Sequence, residues 1–154
     1  MRSEKMQRRA ILPPTYLLFG LLAIVGLHFL YSGPRLIGPA WRLLGLPVAV
    51  VGLSLAVRAD ALFKRVGTEI KPFRESALVV TEDLYRLSRH PMYLGFMLLL
   101  LGVALLAGTL FPLLVVVVML WLFMVRFVLP EERHMEQQFG DEYLEYKSRV
   151  RMWL

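Results

Sequence analysis

The sequence predicts an all-α integral membrane bundle of about four transmembrane helices, followed by an amphipathic helix at the C-terminal end. Three observations predict it. The chain of 154 residues is 57% hydrophobic, too apolar for an ordinary soluble domain. Charge is absent from residues 15–31, 43–57 and 92–125, and a bilayer core about 30 Å thick takes roughly 20 helical residues to cross. The basic residues are also sorted: of the 18 lysines and arginines, all but Arg35 and Arg42 can lie on one side of such a bundle.

The first span is expected over about residues 14–31, behind Arg2, Lys5, Arg8 and Arg9. Its apolar run is long for a signal peptide, and Leu30-Tyr31-Ser32-Gly33-Pro34 carries no small-residue cleavage pattern, so an uncleaved anchor is expected. A short Gly/Pro loop leads to a second span over 41–63. Residues 64–90 then form an inner loop, long for a connection between neighbouring helices. The third apolar block is too long for one span and is interrupted at Gly108-Thr109-Leu110-Phe111-Pro112. Thr109 suits an N-cap and Pro112 a first helical turn, which divides the block into spans over 91–107 and 110–129.

The tail, 130–154, completes a single domain of residues 1–154 with no internal repeat. Pro130 either ends the fourth span and opens a new helix or kinks one continuous helix. Met135, Phe139 and Tyr143 recur every fourth residue, with Tyr146 and Val150 on the same side. Glu136, Asp141, Glu142 and Glu145 fall between them. This is an amphipathic helix, interrupted at Gly140, that can fold back on the bundle.

Basic residues remain cytoplasmic, so both termini are expected inside. All 12 acids fall on that side too, which makes it the face equipped for chemistry. The net charge of +6 is explained by topology and favours anionic lipid over nucleic acid as a partner. With no cysteine there is no disulfide or thiol nucleophile. Glu131-x-x-His134 is half of a di-iron pattern whose second half is missing, so no metal is expected. His28 in the first span is expected to be hydrogen-bonded within the bundle. No glycine-rich phosphate loop or Ser–His–acid arrangement is present. No charge lies mid-span, as a transport path would need, since Arg58 and Asp60 sit where the second span leaves the membrane.

Two polar groups remain as candidates. The first is Arg86-Leu87-Ser88-Arg89-His90-Pro91-Met92-Tyr93-Leu94-Gly95. Proline opening a helix, headgroup-anchoring arginines and an interfacial tyrosine explain it structurally. Functionally, the unpaired N–H groups of a helix starting at Pro91, with Arg89 and His90, can hold an anionic ligand group. Gly95 lets a backbone or ligand approach closely. The second is Glu131-Glu132, either a solvated pair favouring the helix N-terminus or a carboxylate that receives a ligand's amine or ribose hydroxyls.

The order of these pieces resembles the isoprenylcysteine carboxyl methyltransferase family of membrane-embedded enzymes. The matching stretches are Gly67-Thr68, Pro72, Leu78-Val79-Val80-Thr81, Tyr85 through Gly95, Glu131-Glu132, Phe139-Gly140-Asp141-Glu142-Tyr143-Leu144-Glu145-Tyr146 and Val150-Arg151. The resemblance covers roughly residues 45–153. It implies S-adenosylmethionine as cofactor, contacted by Leu78, Val79, Val80, Tyr85, His90, Pro91, Met92, Tyr93 and Glu131. The acceptor it implies is lipophilic, enters from the bilayer and carries a carboxylate of isoprenylcysteine type. Two positions depart from the pattern. Asp83 stands where the family usually has glycine, and Phe127 where it has an arginine that orients the acceptor. The adjacent Arg126 is the residue left for that catalytic role.

The chemistry needs no acid–base machinery. A sulfonium methyl is already electrophilic and a carboxylate is ionised near neutral pH, so transfer depends on in-line positioning and exclusion of water. The alternatives are a membrane methyltransferase for a phospholipid or another small molecule, such as an amine or thiol, and a non-catalytic membrane scaffold with the same fold.

Overall fold

The computed structural model describes residues 12–31, 33–65 and 81–154. Leu78, Val79 and Val80, like Gly67, Thr68 and Pro72, lie outside the described residues. The described elements are all helical. They comprise α1 (Pro13–Leu30), a single turn α2 (Pro39–Arg42), α3 (Gly45–Arg65), a 3-10 turn (Asp83–Arg86), α4 (Pro91–Ala107), α5 (Leu110–Phe123), a π-helical turn (Met124–Val128), α6 (Leu129–Phe139) and α7 (Asp141–Arg149).

Three helical runs, Pro13–Leu30, Pro39–Leu62 and Leu110–Phe139, are long and apolar enough to cross a membrane. α4 is a fourth apolar helix, shorter at 17 residues. The last run continues to Phe139, ten residues past the end expected for the fourth span. Pro13, Pro39 and Pro91 each sit at the start of a helix, where a missing N–H costs nothing.

Small residues draw α3 and α4 together. A Cβ added at Gly52 would lie 2.7 Å from the Gly95 carbonyl oxygen, and one added at Gly95 would lie 2.6 Å from the Ala56 nitrogen. One turn or two further along, a Cβ at Gly102 would lie 2.7 Å from the Ala49 Cα. The backbones therefore touch, as glycine and alanine stripes permit in membrane helices. Gly95 thus serves a neighbouring helix backbone. On the other face of α4, Leu100 and Phe96 pack with Ile24 of α1 and with Met119 and Phe123 of α5 to form the core.

The connection between α1 and α3 and that between α4 and α5 are joined. Leu36 and Ile37 donate to the Gly108 carbonyl at 3.0 and 3.2 Å, and Leu110 donates to the Pro34 carbonyl at 3.1 Å. Gly108 ends α4 with φ +67, the left-handed conformation that stops a helix. Thr109 stands at the N-cap of α5, but its hydroxyl makes no capping bond and has no hydrogen-bond partner. His28 also departs from expectation: its buried Nδ1 has no partner.

At Pro130 the helix continues. The proline ring would collide with the carbonyl four residues back, that of Arg126. The turn before it widens to the π form, seen in the bond from the Leu129 N–H to the Met124 carbonyl. Gly140, with φ +52 and ψ −123, then breaks the tail into α6 and α7, at the position where the amphipathic pattern is interrupted.

Candidate functional site

The site forms at the end of the bundle opposite these joined connections. Here the start of α4, the start of α6 and the end of α7 converge. The 3-10 turn prepares it. Asp83 has φ +50 and is the only non-glycine residue among those described with positive φ, which explains why glycine suits this position. The turn buries Tyr85, and the Tyr146 hydroxyl donates to its carbonyl at 2.7 Å. Burial, followed by the nearby Glu131, Tyr146 and Asp60, drives the Tyr85 phenol far above its usual range. Tyr146 is pushed up to about 12, chiefly by burial. Both therefore remain neutral hydrogen-bonding groups.

Glu132 is the hub. It is buried, with 4% of its surface exposed. Arg89 donates to its Oε1 from Nε at 2.9 Å and from the terminal nitrogen at 2.8 Å. Lys147 lies 3.3 Å from its Oε2, and His90 Nε2 lies 3.3 Å from its Oε1. Burial pushes this carboxyl up, but the His90 hydrogen bond and the charges of Arg89 and His90, with a bond from Lys147, outweigh it and hold it at about 2. An ionised carboxylate only accepts, so the proton of a neutral His90 ring sits on Nε2.

Arg89 is spent on structure. Its remaining nitrogen donates to the carbonyls of Lys147 and Val150 at 3.1 and 3.0 Å, capping the end of α7. The expectation that Arg89 holds an anionic ligand group is therefore corrected, because its donors are committed to Glu132 and α7.

Glu131 differs from its neighbour. Its side chain is 38% exposed, and its Oε2 lies 4.0 Å from His90 Nδ1, too far for a direct hydrogen bond. Its carboxylate is bonded to the side chain of Tyr93. His90 thus stands between two glutamates, one locked by cations and one open. Tyr93 stacks on His90, with ring centroids 5.8 Å apart and planes 20° apart. Beneath it lies an aromatic floor, with Phe123 at 5.8 Å and Phe127 at 6.1 Å from Tyr93. Tyr16 of α1 meets Phe127 edge-on at 5.0 Å.

Of the residues expected from the sequence, Tyr85, His90, Pro91, Met92, Tyr93 and Glu131 converge on this end of the bundle. Met92 and Pro91 are buried, Met92 within the core. Arg126 does not join them: it lies exposed on the π turn while Phe127 faces the core. Glu132 and Ser88 belong to the two candidate groups but were not assigned as cofactor contacts, and Lys147 was not singled out. A buried glutamate beside an exposed one leaves no mark in sequence, whereas Lys147 could have been found as the basic residue one turn after Tyr143. Among the described residues no group of three metal-ligating side chains is placed to hold a metal ion.

Residues 40–142 match the family model for phospholipid methyltransferase. The chain belongs to that family. Within the curated relatives, it is 36% identical over 73 residues to the protein-S-isoprenylcysteine O-methyltransferase of Schizosaccharomyces pombe, covering 47% of this chain and 31% of that protein. Against protein-S-isoprenylcysteine O-methyltransferase B of Arabidopsis thaliana the identity is 31% over 108 residues, 69% of this chain and 55% of the relative. The Saccharomyces cerevisiae enzyme of the same name is 35% identical over 82 residues, 53% and 34% of the two chains. The isoprenylcysteine methyltransferase resemblance read from the motifs is therefore borne out. The chain spans from about a third to just over half the length of these relatives. No solved structure matches it.

Proposed function

We propose that this family member is a membrane methyltransferase that moves a methyl group from S-adenosylmethionine to a lipophilic acceptor. The observation that carries the reading is the pairing of an open carboxylate, Glu131, with His90 and Tyr93 above an aromatic floor, beside a second carboxylate already neutralised. The residues fit the donor's chemistry. Glu131 is partly exposed and has carboxyl oxygens left to accept from an ammonium group or ribose hydroxyls. The first turn of α4 supplies backbone N–H groups for a carboxylate, and aromatic rings offer faces to a cation.

When bound, S-adenosylmethionine supplies the electrophilic methyl. Glu131 binds and orients, His90 is held in place through Nε2 by Glu132, and the tail over the site excludes water. Pro91 and Met92 fix the start of α4, while Leu78, Val79, Val80 and Tyr85 complete the proposed contacts. The acceptor that the resemblance favours is a carboxylate of isoprenylcysteine type, which Arg126 would have to meet from the exposed face of the π turn, outside the cluster of His90 and Glu131. A second reading is an amine of a phospholipid, supported by the family match and by the inward Phe127, which leaves the core position apolar where a carboxylate would require a cation. In either case four helices span the bilayer, with α4 as the third span. Both termini are cytoplasmic, so the donor arrives from water and the acceptor from the lipid.

Isothermal titration with S-adenosylhomocysteine tests the site. Glu131→Gln and His90→Ala are expected to weaken binding about tenfold or more, roughly the loss of one charge-assisted contact, while each variant still inserts and folds. Unchanged affinity in both removes the proposed site. Labelled donor incubated with farnesylcysteine and with phosphatidylethanolamine then separates the two acceptors.

A further inference from the structure

Residues 150–154 lie against the site, beyond residues 40–142 matched by the family model. α7 ends at Val150, which is extended at φ −118 and ψ 129. From there the chain runs beside residues 88–89. The Arg89 N–H donates to the Arg151 carbonyl at 3.0 Å, and Ser88 Oγ donates to the Met152 carbonyl at 3.0 Å. Ser88 Oγ also accepts from the His90 N–H at 3.2 Å, so the same hydroxyl that sets the start of α4 pins the strap. Arg89 adds its cap on α7 and is itself fixed by Glu132.

These bonds deliver Trp153 to the site. Its ring centroid lies 6.4 Å from that of His90, with planes inclined at 56°. Met152 and Trp153 are partly buried and pack on the core. The other two tryptophans are elsewhere and open, Trp41 at 69% and Trp121 at 63% exposed. Core packing alone does not require this arrangement, because a tail anchored only by burial has no need of three hydrogen bonds to the segment that carries His90.

We propose that Trp153 is a ligand-binding residue, the outer aromatic wall of the site, and that residues 150–154 form a strap holding it over His90. The inference rests on the methyl-donor reading: the ligand is the nucleoside of S-adenosylmethionine or its demethylated product. Trp153 offers a flat π face to the adenine and covers His90 from water. It binds and takes no part in bond making.

The arrangement of tryptophans supplies the test. A full-length Trp41→Phe/Trp121→Phe variant reports from Trp153 alone. Adding S-adenosylhomocysteine is expected to change its emission and to shield it from acrylamide. In the otherwise natural chain, Trp153→Ala is expected to weaken S-adenosylhomocysteine binding, by titration calorimetry, on the order of tenfold, and Trp153→Phe to retain most of the affinity. If the wild-type chain binds S-adenosylhomocysteine but the Trp153 emission and acrylamide quenching do not change, and Trp153→Ala binds like wild type, the strap lies outside the site and the methyl-donor reading stands. If the wild-type chain shows no binding, the methyl-donor reading falls, and the role of Trp153 with it.

Discussion

Adjacent glutamates with opposite environments give the site its division of labour. Glu132 is enclosed by Arg89, His90 and Lys147, whereas Glu131 is partly open beside His90 Nδ1. Removing the Glu132 charge leaves the buried Arg89 guanidinium without its counter-ion, while Lys147 keeps Glu136, a loss of about 3 kcal/mol or more. Glu132→Gln is therefore expected to lower the thermal unfolding temperature in detergent markedly, with Glu131→Gln close to wild type. The reverse order would assign the structural role to Glu131. Acid should act through the same carboxyl. Its folded value of about 2 lies below the ordinary 4.5, so its contribution is complete above about pH 4.5 and is lost as pH falls toward 2. That contribution is about 3 kcal/mol. Wild-type stability should thus fall across this window, and Glu132→Gln should show a flatter profile there. The pair was legible in the sequence as a pair, but which carboxylate turns inward was not. The choice depends on where Arg89 and Lys147, 43 and 15 residues away in the chain, are brought by packing.

Helices α3 and α4 are joined by backbone contact, so their pairing is sensitive to single methyl groups. Gly52→Ala and Gly95→Ala force a Cβ into opposing backbone, which cannot swing aside as a side chain could. Each is expected to cost about 1–3 kcal/mol. Gly26, which has nothing within 4 Å of an added Cβ, should accept alanine with a change of about 0.5 kcal/mol or less. Thermal unfolding of the three variants checks the contrast, and equal losses would refute close packing as the cause. At this scale the sequence was most informative where its signal was local. Apolar blocks, helix-opening prolines and the break at Gly108 placed the bounds of α1 and α4 to within a residue, whereas the run from Leu110 continues ten residues past the expected end. Pro130 was harder, because its two outcomes depend on whether the preceding turn can widen. That turn becomes a π turn, and a pattern counted back from Glu131 in 3.6-residue turns loses its phase there. The structure turns Phe127 inward and leaves Arg126 exposed, which period counting alone could not decide.

The molecule as a whole has two unlike ends. One carries the joined loops at 33–38 and 108–110, with Arg35 and Arg42 as its basic residues. The other gathers Tyr85, His90, Glu131, Glu132 and α7 with its acids and lysine. Charge sorting made this polarity readable, because insertion into a bilayer acts on the whole chain through its basic residues. The convergence of residues 85–93 with 131–153 was not readable from charge, since it arises from hydrogen bonds between residues some 40 to 65 apart in the chain. The membrane orientation can be tested cleanly because the chain contains no cysteine. Leu36→Cys places a thiol on the exposed loop between α1 and α2, and Ser148→Cys places one on the exposed face of α7, a nearly isosteric change. With both termini cytoplasmic, an impermeant maleimide added to intact cells should label Cys at 36 and not at 148 until the membrane is opened. The opposite pattern would place the Glu131–His90 site on the outer face, where a cytoplasmic sulfonium donor could not reach it. Equal labelling in intact cells would mean that the two ends share a side, contrary to a bundle that crosses the bilayer between them.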